Sequence, residues 1–179
     1  MRNNTYLQRL VGAAALDSAI YEEVEADEGA TLQAFVTVVA SSVAAGIGVQ
    51  GAPGAQIGDI AVVGTIAVLA WASWALITLG IGVRLLPQRQ TRSNVGELLR
   101  TIGFATAPGC LRVLGVLPGV TVPVFIVTTI WMLAAMVVAV RQALDYQDTA
   151  RAIAVCGVGW VLAIAIAVVL GVLFGPTLS

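Results

Sequence analysis

The sequence predicts an all-α, polytopic membrane helix bundle of five transmembrane helices, the third broken at Pro108, preceded by an amphipathic helix at the amino terminus. Three observations carry this expectation. Residues A, V, I, L, M, F, W, Y and C make up 59% of the 179, and charged residues only 11%. A soluble domain carries about 25% charged residues because it must coat a water-facing surface, and this chain cannot. Four apolar runs are long enough to cross about 30 Å of hydrocarbon at about 20 residues each. Finally, the arginines alternate between connections, as expected when basic loops are retained on the cytoplasmic side.

The four clear runs are Thr31 to Val49, Asp59 to Val83, Thr121 to Val140 and Ala152 to Phe174. Ile102 to Gly119 is irregular: Pro108 and Gly109 interrupt it, Pro118 and Gly119 close it, and Arg112 lies inside. It reads as a helix broken near its middle, with a re-entrant or interfacial segment as the alternative. Arg84, Arg89, Arg92 and Arg100 lie between the second and third runs, Arg141 and Arg151 between the fourth and fifth, and Arg2 and Arg9 before the first. The remaining connections hold no basic residue. This predicts an inner (cytoplasmic) membrane protein with its amino terminus in the cytoplasm and its carboxyl terminus outside, which requires an odd number of crossings.

Residues 1–29 read as a cytoplasmic amphipathic and acidic segment, and 30–179 as the membrane domain. Leu7, Leu10, Val11 and Ala14 share a helical face. The apolar stretch after Arg2 and Arg9 is too short for a signal peptide, so the segment is expected to be retained. Glu22, Glu23, Glu25, Asp27 and Glu28 follow. An anionic leaflet repels such a cluster, so its expected companion is a basic partner or the chain's own arginine loop, unless it is simply solvated.

Composition excludes several functions. All nine basic residues are arginine, ten are acidic, and the net charge is −1, so no basic face is available for nucleic acid. Histidine is absent, which removes the commonest general base, zinc ligand and haem ligand. Cys110 and Cys156 lie in apolar stretches and read as packing residues. No nucleophile elbow, phosphate-binding glycine loop or metal-ligand spacing occurs, so no cofactor, metal or small-molecule substrate is expected. A mid-membrane carboxylate of the kind proton-coupled transporters use is missing from the clear runs.

Small residues at fourth positions predict helix contact faces: Ala40, Ala44 and Gly48 on the first run, and Gly159, Ala163, Ala167 and Gly171 on the last. Whether they meet within one chain or between chains is open. Trp71, Trp74, Trp131 and Trp160 fall near the middles of runs, for internal packing or for lining a lipid or pigment pocket. Arg112 is the anomaly. Counting from Arg100 at 1.5 Å per residue puts it about 18 Å into the membrane, where a guanidinium needs a partner or water. Asp59 opens the second run on the same outer side, so an Arg112 to Asp59 ion pair is expected, with snorkelling to the headgroups as the alternative. Before the last run, Asp148 and Thr149 suit helix capping and Tyr146 an interfacial anchor.

Gly103, Phe104, Ala105, Thr106, Ala107 and Pro108 are similar to the GYxxxP-type signature of the Yip1 domain family, followed by the stretch holding Arg112. Tyr21 to Ala30 (YEEVEADEGA) and Asp145 to Trp160 (DYQDTARAIAVCGVGW), with Asp145, Tyr146 and Trp160, resemble short bacterial members. The resemblance implies five helices and a cytoplasmic amino terminus. Eukaryotic members act in vesicle trafficking through small GTPases and in membrane shaping. This chain lacks their DLYGP motif and has Phe104 in the tyrosine place, so GTPase binding is not carried over.

The functional expectation is a non-enzymatic integral membrane protein that acts by association, as a homo-oligomer or as an accessory subunit of a larger membrane complex, with lipid and other membrane proteins as partners. The alternative is a small transporter or channel with a site at Pro108 and Arg112 on the broken helix.

Overall fold

A computed structural model describes residues 4–50, 60–82 and 93–174, apart from the side chains of 60–67, 70 and 162–174. Among the described residues the chain is helical throughout, with no strand: α1 (Tyr6–Ala14), α2 (Ser18–Ala26), α3 (Ala30–Val49), α4 (Ile60–Gly80), α5 (Val95–Phe104), a 3-10 helix (Ala107–Val116), α6 (Thr121–Ala143) and α7 (Thr149–Phe174). There α3, with 20 residues, and α6, with 23, are long and apolar enough to cross a bilayer. The helices α4 and α7 run 21 and 26 residues.

Where the sequence suggests one amphipathic helix at the amino terminus, the structure has two. Thr5 and Gln8 form a capping box that starts α1. Leu16 then takes a left-handed conformation, φ 63°. Its N–H donates to the Ala13 carbonyl (3.1 Å) and that of Asp17 to the Gly12 carbonyl (3.0 Å), the Schellman pattern that closes a helix. Asp17 turns at once to capping α2, accepting from the Ala19 N–H at 3.0 Å. A branched side chain in the left-handed region costs about 1 kcal/mol. Leu16→Gly is therefore expected to raise the melting temperature in detergent by about 2 °C, as read by circular dichroism.

The hairpin splits the expected apolar face. Leu10, Ala13 and Ala14 pack inward against a core that includes Ile20, Tyr21, Val24, Ala34, Phe104 and Ala139, while Leu7 and Val11 remain exposed. Tyr6 is hydrogen-bonded to Thr37 (3.1 Å), and Trp131 Nε1 donates to the Ala14 carbonyl at 2.7 Å. The amino-terminal helices thus share one core with α3, α5 and α6.

The acidic cluster is engaged by arginines of the same chain. Buried Arg9 bridges Glu23 (2.9 Å) and Asp27 (2.7 Å) and donates to Gln33 Oε1 at 3.0 Å. Buried Arg100 donates through Nε to the Val24 and Glu25 carbonyls and through Nη2 to Glu25, closing the carboxyl end of α2, where the helix dipole favours a cation.

The irregular run resolves into two helices. An Asn94 and Glu97 capping box starts α5 at Val95, before the apolar run begins. The α-helix stops at Phe104, and after Ala105 and Thr106 the chain continues as a 3-10 helix with Pro108 in its first turn, where a missing N–H costs nothing. The interruption thus falls just before Pro108.

Candidate functional site

The 3-10 helix lies along α3, and small residues set the spacing. On α3 the buried positions Ala30, Ala34, Thr37, Ser41, Ala44 and Gly48 alternate steps of four and three, a heptad stripe. A β-carbon on Gly103 would lie 2.7 Å from that of Ala34, one on Gly109 2.0 Å from Ser41 Oγ, and one on Gly48 1.9 Å from the Arg112 carbonyl oxygen. Ala44 and Gly48 lie in this stripe, whereas Ala40 is exposed beside it. A strict fourth-residue spacing rotates about 40° per step, so it drifts off a seam of period 3.5.

This register carries Arg112 far along the bundle. Nine residues from Gly103 to Arg112 cover α3 from Ala34 to Gly48, about 21 Å of helix. The 3-10 rise of about 2.0 Å per residue lengthens the path beyond what an α-helix covers. Arg112 therefore stands beside the last turn of α3, at the end remote from the amino-terminal hairpin.

Its side chain reaches α6. Nε donates to Thr128 Oγ1 at 3.3 Å and Nη2 to Thr129 Oγ1 at 2.8 Å, and the guanidinium carbon lies 5.2 Å from the Phe125 ring centroid. Thr128 spends its own proton on the Val124 carbonyl (2.8 Å), so its oxygen is oriented as an acceptor. Asp59, the acid expected to pair with Arg112, lies outside the described residues; among those described no carboxylate pairs with it. Sequence reasoning missed Phe125, Thr128 and Thr129. The signal was the Thr128 and Thr129 pair, adjacent hydroxyls inside an otherwise apolar run. Beside them an apolar groove of about 420 Å3 runs along α6 between Thr121 and Ile130.

The other residues singled out by sequence serve the frame. Gly103 and Pro108 are buried, and Phe104 is buried edge-on to Tyr6 with ring centroids 6.3 Å apart. Asp145, φ 52°, is the left-handed residue closing α6: its N–H donates to the Gln142 carbonyl and that of Tyr146 to Arg141, both at 2.9 Å. Tyr146 is buried and donates its hydroxyl proton to the Gly82 carbonyl (3.2 Å), tying the segment just after α4 to this loop. Asp148 accepts from the Ala150 N–H at 2.9 Å and so caps α7. On α7, Gly159 is buried, and a β-carbon there would lie 3.0 Å from the Trp74 ring; Trp160 is exposed. The side chains of Ala163, Ala167 and Gly171 lie outside the described residues. Trp71 Nε1 donates to the Leu99 carbonyl at 3.1 Å, an internal tie.

A second, polar cavity of about 490 Å3 opens at the hairpin end, lined by Glu22, Glu25, Arg141, Gln142, Asp145 and Tyr146. Gln142 donates to Glu22 at 2.8 Å. Burial, then the neighbouring carboxylates of Asp145 and Glu97, push Glu25 up to about 7, with Arg100 opposing. The folded form therefore holds this proton more tightly than the unfolded chain. Its contribution is complete below the ordinary value of 4.5 and is lost as pH rises through about 7. Stability in detergent is expected to fall across that window. Glu25→Gln is expected to flatten the fall and add about 1 kcal/mol at pH 8, the full linkage value being reduced by solvent screening of the carboxylate. Melting curves across pH check both.

Among the described residues no group of three or more histidine, cysteine, aspartate or glutamate side chains is arranged to hold a metal ion. The architecture among the described residues is that of an all-helical bundle with two helices long and apolar enough to span a membrane, and with Arg112 held by two threonine hydroxyls. The chain belongs to the Yip1 domain family: its residues 17–170 match the Yip1 domain, beginning at the cap of α2 and ending within α7. No curated protein and no solved structure matches it.

Proposed function

We propose that this Yip1-family protein is a non-enzymatic inner-membrane protein with five crossings, α5 and the 3-10 helix together making the third, and that it works by association within the membrane. Its amino terminus lies in the cytoplasm and its carboxyl terminus outside. The arginine-bearing connections support this orientation, as does the gathering of Arg9, Arg100 and the polar cavity at one end.

One observation carries the association reading. An apolar groove of about 520 Å3 runs between α3 and the 3-10 helix, walled by Phe35, Val36, Val43 and Val113, with exposed Ala40 among its lining residues. In lipid, helices associate where small residues let backbones approach, and an exposed alanine between larger walls is such a place. A helix from a second copy, or from a larger complex in which this chain is an accessory subunit, fits it.

Chemical crosslinking in native membranes, followed by mass determination in mild detergent, tests the reading. The wild type is expected as a multimer or with a stoichiometric partner, and Ala40→Trp, which fills the groove, as a folded monomer. A wild-type chain that is neither crosslinked nor co-purified, with Ala40→Trp behaving identically, overturns it.

A further inference from the structure

We propose that Arg112 binds the phosphate of an anionic phospholipid from the leaflet remote from the amino-terminal hairpin, with an acyl chain of that lipid lying in the α6 groove. The inference stands apart from the association reading, because it concerns a different face of the bundle.

A guanidinium carries five N–H groups, and among the described residues Arg112 uses two, on Thr128 and Thr129. Both acceptors are neutral hydroxyls. A cation inside an apolar belt is costly unless paired, and among the described residues no carboxylate pairs with it. The threonines thus orient the guanidinium without neutralising it. A phosphate offers several anionic oxygens to the remaining donors, in the forked arrangement arginine favours.

The groove along α6 includes two residues that hold Arg112, Phe125 and Thr129, and apart from these and Thr121 it is lined by the aliphatic side chains of Val122, Ile126 and Ile130. Val122, Ile126 and Ile130 are exposed. A soluble anion has no use for such a wall, whereas a phospholipid joins a phosphate to a hydrocarbon chain. Arg112 also lies beside Gly48 in the last turn of α3, a helix long enough to cross a bilayer, which puts it near the end of that helix remote from the hairpin.

The test is native mass spectrometry of the full-length protein in mild detergent, titrated with phosphatidylglycerol or with phosphatidylcholine. One phosphatidylglycerol per chain is expected to remain bound, with phosphatidylcholine retained about tenfold less. Arg112→Leu is expected to lower phosphatidylglycerol occupancy by about tenfold or more, and Thr129→Val by several-fold, at unchanged helix content. Should Arg112→Leu fail to fold, Arg112→Lys keeps the charge without the fork, and its expected several-fold loss carries the test with Thr129→Val. A large excess of inorganic phosphate is expected to leave the lipid bound. Displacement by phosphate overturns the lipid assignment in favour of a free anion. Equal retention of both lipids, or wild-type binding by folded Arg112→Lys and Thr129→Val, overturns the site. A tenfold gain of lipid in Asp59→Asn overturns it too, by showing that Asp59 occupies Arg112.

Discussion

Gly48→Ala is expected to lower the melting temperature of the detergent-solubilised protein by about 10 °C, corresponding to a loss of about 3 kcal/mol. The added β-carbon would stand 1.9 Å from the Arg112 carbonyl oxygen and 2.9 Å from its carbonyl carbon. Both are backbone atoms of the 3-10 helix, so no rotamer change relieves the contact and the helices must part along their seam. Two other glycines grade the effect. At Gly103 the new methyl meets the β-carbon of Ala34 at 2.7 Å and its backbone at 3.2 Å, so a smaller but clear loss is expected. At Gly157, on the exposed side of α7, nothing lies within 4 Å. There alanine is expected to stabilise by about 0.5 to 1 kcal/mol through helix propensity alone. Thermal unfolding by circular dichroism in one detergent orders the three. If Gly48→Ala and Gly157→Ala shift the midpoint alike, the close approach of α3 and the 3-10 helix is wrong.

Arg9→Met is expected to cost about 2 kcal/mol and to loosen the amino-terminal hairpin selectively. Arg9 is buried, at 4% exposure, and joins α1 to Glu23 and Asp27 around the end of α2 and to Gln33 on α3. Removing one member of a fully buried pair costs about 3 to 5 kcal/mol because the other charge is stranded. Here the side chains left behind are 23% and 41% exposed and regain water, which lowers the expected loss. The Arg9 hydrogen bond also holds the Asp27 carboxyl below its usual range. Stability from that contact is therefore present above the ordinary aspartate value and lost as pH falls through the depressed one; the variant is expected to lack this acid-side loss. Lysine is expected to recover only part, since a point ammonium cannot reach three acceptors as a planar fork does. Hydrogen exchange is the direct measurement: amides of α1 and α2 should lose protection while those of α6 keep theirs. Uniform loss across the bundle would show instead that the hairpin and the core unfold as one unit.

Much of the helical frame was legible from local letters, because its causes are local. Apolar runs mark the long helices to within a few residues at the ends, since both burial and lipid require unbroken hydrocarbon along the segment. The Asp148 cap is a short-range hydrogen bond between residues near in sequence. Leu16 and Ile20 read as neighbours on one apolar helical stripe, and nothing in leucine advertises the left-handed turn that Leu16 makes; the turn exists because α2 must fold back onto α1. The conversion after Phe104 to a 3-10 helix was equally hidden. Pro108 announces an interruption, but the longer rise beyond it belongs to a helix pressed against Gly48 and Ser41.

The sequence by itself determined the lipid-compatible composition, the position of the long helices and the likeness to the Yip1 domain. The tertiary structure alone decided which acceptors meet Arg112, that Arg9 and Arg100 hold α2 in place, and that the seam on α3 runs through Thr37 and Ser41 beside Ala44 and Gly48, leaving Ala40 outside. The physical reason is range. Hydrophobic periodicity and capping act within a few residues along the chain, whereas the partner of a charge is whichever group another helix brings within about 3 Å, and that depends on the rotation and sliding of whole helices.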